Sequence, residues 1–147
     1  MTIYIASDHA GFVLKELVVT YLSENGYNVI NMGTSSAANP VDYPDFAHAV
    51  VRALDTDREA YGILICGTGI GMSIAANRFP HIRATLCQTE QEAMLARQHN
   101  NANIICLGAR IIDAEQAFLC VKQFMTTDFD GGRHQNRLDK IKNNIQI

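Results

Sequence analysis

Gly62-Ile63-Leu64-Ile65-Cys66 runs without a polar side chain straight into Gly67-Thr68-Gly69-Ile70-Gly71, a turn with three glycines. A strand with one face in water alternates apolar and polar residues. One that is apolar throughout is covered on both faces, as in a parallel sheet packed between helices. Four more β-rich runs recur along the chain: Thr2 to Ser7, Tyr27 to Met32, Arg83 to Cys87 and Asn103 to Leu107. Between them lie stretches with helical apolar spacing, such as Phe12, Leu14, Leu17, Val18, Tyr21 and Leu22. Strands that alternate with helices build βαβ units. The expectation is a three-layer α-β-α, Rossmann-like fold with a five-stranded parallel sheet in the flavodoxin-like order, in one domain spanning residues 1–147.

Pro44 suits the first turn of a second helix. Glu90 to Gln98, Ala114 to Met125 and Gln135 to Asn143 read as later ones, with Gly131-Gly132 as the break before the last. The stretch Gly33 to Asp42, rich in Ser, Ala, Thr and Asn, reads as a surface loop.

Composition removes several function classes. The 147 residues are 48 % hydrophobic and 18 % charged, as in a globular protein with its own core. A net charge of −3 disfavours a nucleic-acid partner, since such domains carry a basic excess. Asp8 interrupts the first apolar run before it could serve as a leader or a membrane span, so no membrane role is expected and the cytoplasm is the expected location. The four cysteines, at 66, 87, 106 and 120, lack the close pairs of zinc or redox motifs and read as free thiols. Cys87, Cys106 and Cys120 sit in apolar stretches and read as buried hydrophobes.

Cys66 differs in position. In an open parallel sheet ligands bind beyond the carboxyl ends of the strands, where the strand order reverses, which in the flavodoxin-like order is between strands one and three. Those strands end in Ser7-Asp8-His9-Ala10-Gly11 and in Cys66 with its glycine turn. Backbone N–H groups of residues 67 to 71 can converge on an anion such as a phosphate or an enediolate, and the same surroundings favour the Cys66 thiolate. The third glycine of a dinucleotide fingerprint would fall at position 72, where Met72 stands, so NAD binding is disfavoured. A thiol phosphatase would need an arginine at that same position. A thiolate base facing a ring of N–H donors suits proton abstraction next to a carbonyl.

Arg133 and Arg137, four apart on the last helix, form with His134 and Arg110 a candidate phosphate grip. A solvated basic face is the plainer reading. His99 and Asn100 precede the fifth strand and belong to the sheet's amino end, an awkward place for a site within one chain. No Cys-x-x-Cys or His-Glu-x-x-His pattern is present, so neither metal nor organic cofactor is expected.

Five ordered motifs, Ser7-Asp8-His9-Ala10-Gly11-Phe12, Asp42-Tyr43-Pro44, Ile65 to Gly71, Arg97-Gln98-His99-Asn100 and Gly131-Gly132-Arg133-His134, together resemble the type B ribose-5-phosphate isomerases almost end to end. That wider family includes galactose-6-phosphate isomerase subunits, some of which lack the thiol. The resemblance implies a homodimer, in some members paired into tetramers, with active sites across the interface. It further implies that Cys66 is the proton acceptor, that His99 opens the furanose ring and that Thr68 assists proton handling. Gly67, Thr68, Gly69, Ile70 and Gly71 would hold the enediolate. Asp8, His9, Tyr43 and Asn100 would contact the sugar, and Arg110, Arg133 and Arg137 its phosphate, some from the neighbouring chain. The implied reaction interconverts ribose 5-phosphate and ribulose 5-phosphate in the non-oxidative pentose phosphate pathway. Competing readings are an isomerase of allose 6-phosphate or galactose 6-phosphate, a non-catalytic phospho-sugar-binding module, and thiol-based phosphoryl or redox chemistry.

Overall fold

In the computed structural model, which describes residues 1–143, five parallel strands alternate with helices. In chain order they are β1 (Thr2–Ser7), α1 (Phe12–Glu24), β2 (Asn28–Asn31), α2 (Tyr43–Thr56), β3 (Tyr61–Cys66), α3 (Ile70–Ala76), β4 (Ala84–Leu86), α4 (Glu90–Asn100), β5 (Ile104–Gly108), α5 (Ala114–Thr126) and α6 (Arg133–Asn143). Alternate strand residues feed two separate cores, as a period of two requires. Ile3, Ile5, Ile63, Ile65, Ile105 and Leu107 face α1, α4 and α5. Ala6, Leu64, Cys66, Ile104 and Cys106 face α2 and α3. Burial on both faces explains the unbroken apolar run from Gly62 to Cys66.

The strand order is β2-β1-β3-β5-β4. The half containing β1 and β3 follows the flavodoxin-like expectation, but the last two strands are exchanged. The reason lies in length and polarity. All five residues of β5, Ile104-Ile105-Cys106-Leu107-Gly108, are buried, so this strand belongs inside the sheet. The three residues of β4 are only half-buried, which suits an edge. In register, Cys66 lies opposite Gly108 and Ser7 opposite Ile65, so the carboxyl ends of β1, β3 and β5 form one rim.

Cys87, Cys106 and Cys120 are free and buried as expected. Burial pushes all three thiols up, Cys87 to about 12. Among the described residues no helix is long and apolar enough to cross a membrane.

Candidate active site

Three connections meet on that rim. The Asp8 N–H donates to the Ile65 carbonyl at 3.2 Å, and the Asp8 carboxylate caps the turn by accepting from the Gly11 N–H at 3.0 Å. Only glycine fits at position 11, because a Cβ there would stand 2.6 Å from the Ile65 carbonyl oxygen. His9 is tied in from the other side, its Nδ1 accepting from the Val41 N–H at 3.2 Å. Beyond β5, the Ala109 and Arg110 N–H groups donate to the carbonyls of Cys66 and Gly67, both at 2.9 Å, so the β3 and β5 turns fold as one unit.

Cys66 Sγ accepts the Gly69 N–H at 3.1 Å, a donor that stabilises negative charge on sulfur. Gly69 holds φ +77°, a left-handed conformation that lets the chain double back over the thiol. Gly67 and Gly71 leave room for two neighbours. A Cβ at 67 would stand 3.2 Å from Arg110 Nη1, and one at 71 would stand 2.5 Å from Tyr43 Cζ. Arg110 and Tyr43 thus lie directly over the two ends of the turn, with Thr68 and Ile70 exposed between them. The rim gathers Asp8, His9, Tyr43, Cys66, residues 67–71 and Arg110.

The remaining expected residues lie at the opposite end. His99 and Asn100 close α4, which delivers the chain to the amino end of β5. The five residues of β5 separate them from Cys66 by roughly 15 Å at the usual strand rise. Arg133 and Arg137 lie on α6, which packs on α4. The expected grip of Arg110 with Arg133, Arg137 and His134 is therefore split within one chain: Arg110 belongs to the thiol rim, the other three to the His99 end. The split follows from topology, since β5 carries residue 110 to the carboxyl end while α5 returns the chain to the amino end.

The His99 end has its own supports. Arg97, nearly fully buried, donates to the Ala102 carbonyl at 2.6 Å, to Asn101 Oδ1 at 2.9 Å and to the Thr127 carbonyl at 3.3 Å. Its guanidinium lies 4.7 Å from the Tyr61 ring centroid, a cation–π contact. Asn101, at φ +45°, ends α4 in the left-handed conformation. The Asp130 N–H then donates to the Gln98 carbonyl at 3.0 Å, and Gly131 and Gly132, both at positive φ, turn the chain into α6. As a result the His99 and His134 rings stack, with centroids 4.3 Å apart and planes 9° from parallel.

Two participants escaped sequence reading. Lys15 is 1 % exposed, and its ammonium donates to Glu16 Oε1 (2.6 Å), Asn31 Oδ1 (2.9 Å) and the Thr34 carbonyl (2.8 Å). It pins the start of the 33–42 loop beside β1, and the far end of that loop holds His9. A lone lysine in an amphipathic helix gives no signal of this. Asp130 is the second, an exposed acid whose relation to His99 exists only in three dimensions.

Comparison with known proteins finds relatives along nearly the whole chain. A family model described as Ribose/Galactose Isomerase matches residues 3–141. The ribose-5-phosphate isomerase B of Escherichia coli K12 is 44 % identical over 134 residues, covering 91 % of this chain and 89 % of that protein. The crystal structure of a ribose 5-phosphate isomerase from Thermotoga maritima superposes with a TM-score of 0.93 at 54 % identity, covering 96 % of this chain and 97 % of that one. The Mycoplasma genitalium ribose-5-phosphate isomerase B, solved with bound ribulose-5-phosphate, gives a TM-score of 0.93 at 42 % identity, covering 96 % of this chain and 93 % of that one. With the family model matching nearly the whole chain, residues 3–141, the chain belongs to the ribose/galactose isomerase family.

Proposed function

We propose that this protein is an aldose-ketose isomerase that interconverts ribose 5-phosphate and ribulose 5-phosphate. The observation that carries the reading is Cys66 Sγ beneath the Gly67–Gly71 turn, in a chain whose relatives include one solved with ribulose-5-phosphate. His99 protonates the ring oxygen and opens the furanose. The Cys66 thiolate removes the C2 proton, and N–H groups of residues 67–71 take up the charge of the enediolate oxygen. Thr68 assists the proton transfer between the two oxygens, and the carbon-bound proton returns at C1. Asp8, His9, Tyr43 and Asn100 bind the hydroxyls, and Arg110, Arg133 and Arg137 the phosphate. No metal or organic cofactor enters, so activity survives chelator unchanged.

A single chain leaves the thiol rim and the His99 end too far apart to hold one pentose phosphate. We therefore assign the working unit as a homodimer: under two-fold symmetry the rim of one copy meets the His99 end of the other twice, making two complete sites. Two core clusters sharing one sheet support reading residues 1–147 as one isomerase domain. The place we assign it is the cytoplasm and the non-oxidative pentose phosphate pathway.

The test is turnover of ribose 5-phosphate by the parent and by Cys66→Ala. The parent turns over and the variant loses at least about 100-fold in kcat, the lower end of what a positioned base contributes. A folded parent that converts only a six-carbon phosphate, or a variant with full activity, refutes the reading.

A further inference from the structure

Arg83 stands at the amino end of β4 and is tied there by Asn103. Its N–H donates to Asn103 Oδ1 at 2.8 Å, and its carbonyl accepts the Asn103 N–H at 3.1 Å. From that anchor the side chain crosses to the end of α4, where Nε donates to the Asn101 carbonyl at 2.8 Å and to the Asn100 carbonyl at 3.1 Å. We propose that Arg83 is a positioning residue of the isomerase, acting through these two carbonyls to fix the direction in which α4 presents His99 and Asn100 to the sugar. The inference rests on the isomerase reading above and adds a residue to it.

The last carbonyls of a helix have no partner within it, and a cationic donor suits both their lone pairs and the negative end of the helix dipole. The end of α4 has a particular need of one. It closes on Asn101 at φ +45°, a left-handed conformation that glycine adopts freely and other residues at some cost. Arg97 holds the Asn101 side chain and the Ala102 carbonyl from inside the fold, while Arg83 holds the carbonyls of 100 and 101 from the β4 side. Two cations thus converge on one helix end. Burial, and then the charge of Arg97, lower the Arg83 guanidinium from its ordinary pKa, so the approach is unfavourable in itself and is offset by the carbonyls it meets.

These bonds control aim. Asn100 is exposed and His99 half-buried, so the direction of both side chains follows the backbone of the last turn. With Arg83 removed, that turn can fray. A displacement of about 1 Å at a group that must meet the substrate costs on the order of 100-fold in rate.

The experiment compares Arg83→Met, Arg83→Gln and Thr89→Ala in the full-length protein. Methionine puts a methyl carbon where Nε stands along the side chain, and glutamine puts an uncharged N–H donor there. Thr89→Ala removes the capping box at the opposite end of α4 and controls for general destabilisation. With ribose 5-phosphate, kcat should fall about tenfold or more in Arg83→Met. Arg83→Gln should recover about half of that loss on a logarithmic scale, since a neutral hydrogen bond is roughly half as strong as a charge-assisted one. Thr89→Ala should keep the parent's kcat while its Tm falls. Amide hydrogen exchange should quicken in Arg83→Met at Asn101 and Ala102, whose N–H groups bond to the carbonyls of Arg97 and Ala96, and in Thr89→Ala at Glu92 instead. An Arg83→Met enzyme within twofold of the parent in kcat, an equal loss in Thr89→Ala, no recovery in Arg83→Gln, or unchanged exchange at Asn101 and Ala102 each overturn the proposal. A parent without turnover removes the isomerase reading instead, and exchange then still decides whether Arg83 holds the end of α4.

Discussion

Gly108→Ala tests whether the glycine turn owes its position to the strand beside it. A Cβ at residue 108 would stand 2.6 Å from the Thr68 carbonyl oxygen, 2.7 Å from its carbon and 2.9 Å from Ile111 Cγ1. The first two are backbone atoms, so no side-chain rotation relieves the clash. Restoring an ordinary contact of about 3.3 Å requires the Thr68 peptide to move by about 0.7 Å. That peptide sits in the turn whose Gly69 N–H caps Cys66 Sγ, so the shift falls on the donors around the thiol. Misplacement by about 1 Å costs on the order of 100-fold in rate, so kcat should fall by tens of fold. Overpacking of this kind costs about 1–3 kcal/mol, and each kcal/mol lowers Tm by roughly 2–4 °C at this chain length. Steady-state kinetics with ribose 5-phosphate, together with thermal unfolding, read both effects. Gly26→Ala is the control, strained by its φ of +82° but with nothing within 4 Å of the new Cβ, and it should lose stability without losing rate. A Gly108→Ala enzyme within twofold of the parent in kcat would refute the argument that β5 sets the turn.

Further expectations follow from other contacts. Gly71→Ala places its Cβ against the ring of Tyr43, which is exposed enough to swing aside, so kinetics should show a raised KM with Tm nearly unchanged. Thr89→Ala removes the capping box of α4 and should cost about 1 kcal/mol in denaturant unfolding. Lys15→Met strips three acceptors of a charged donor and should cost about 1.5–3 kcal/mol, with looser ligand binding at His9. Lys15, by its hydrogen bond, also holds the Glu16 carboxyl below its ordinary value of 4.5. A lowered acid stabilises the folded state above its unfolded pKa, and the gain is lost as pH falls from about 5 through the folded value. Because Glu16 is half exposed, that gain is under about 1 kcal/mol, and unfolding measured across pH 3–7 should show it vanish in Lys15→Met.

Much of this molecule was legible because its signals are local. Five β-rich runs marked the strands, 3.6-residue periodicity marked helices between them, and the end of β3 announced both the thiol and its glycine turn. Pro44 and Gly131-Gly132 marked helix boundaries through backbone restrictions that act residue by residue. The amino-end placement of His99 was readable too, since a helix that follows one strand and precedes the next must end where the next begins.

What stayed hidden depends on which distant surfaces dock. The insertion of β5 between β3 and β4 reflects competition for the interior of the sheet, won by the longer and wholly apolar strand. Arg110 parted from Arg133 and Arg137 because α5 intervenes and returns the chain to the other end of the sheet, a distance that spacing along the chain does not measure. Lys15 became a buried clamp only when Asn31 and Thr34 closed over it. His99, Asp130 and His134 met because Arg97 and Gln98 hold the loop after α5 against the end of α4. Local chemistry wrote the elements and the thiol turn into the sequence, while the partners of each polar side chain were settled by packing between segments that no short-range pattern connects.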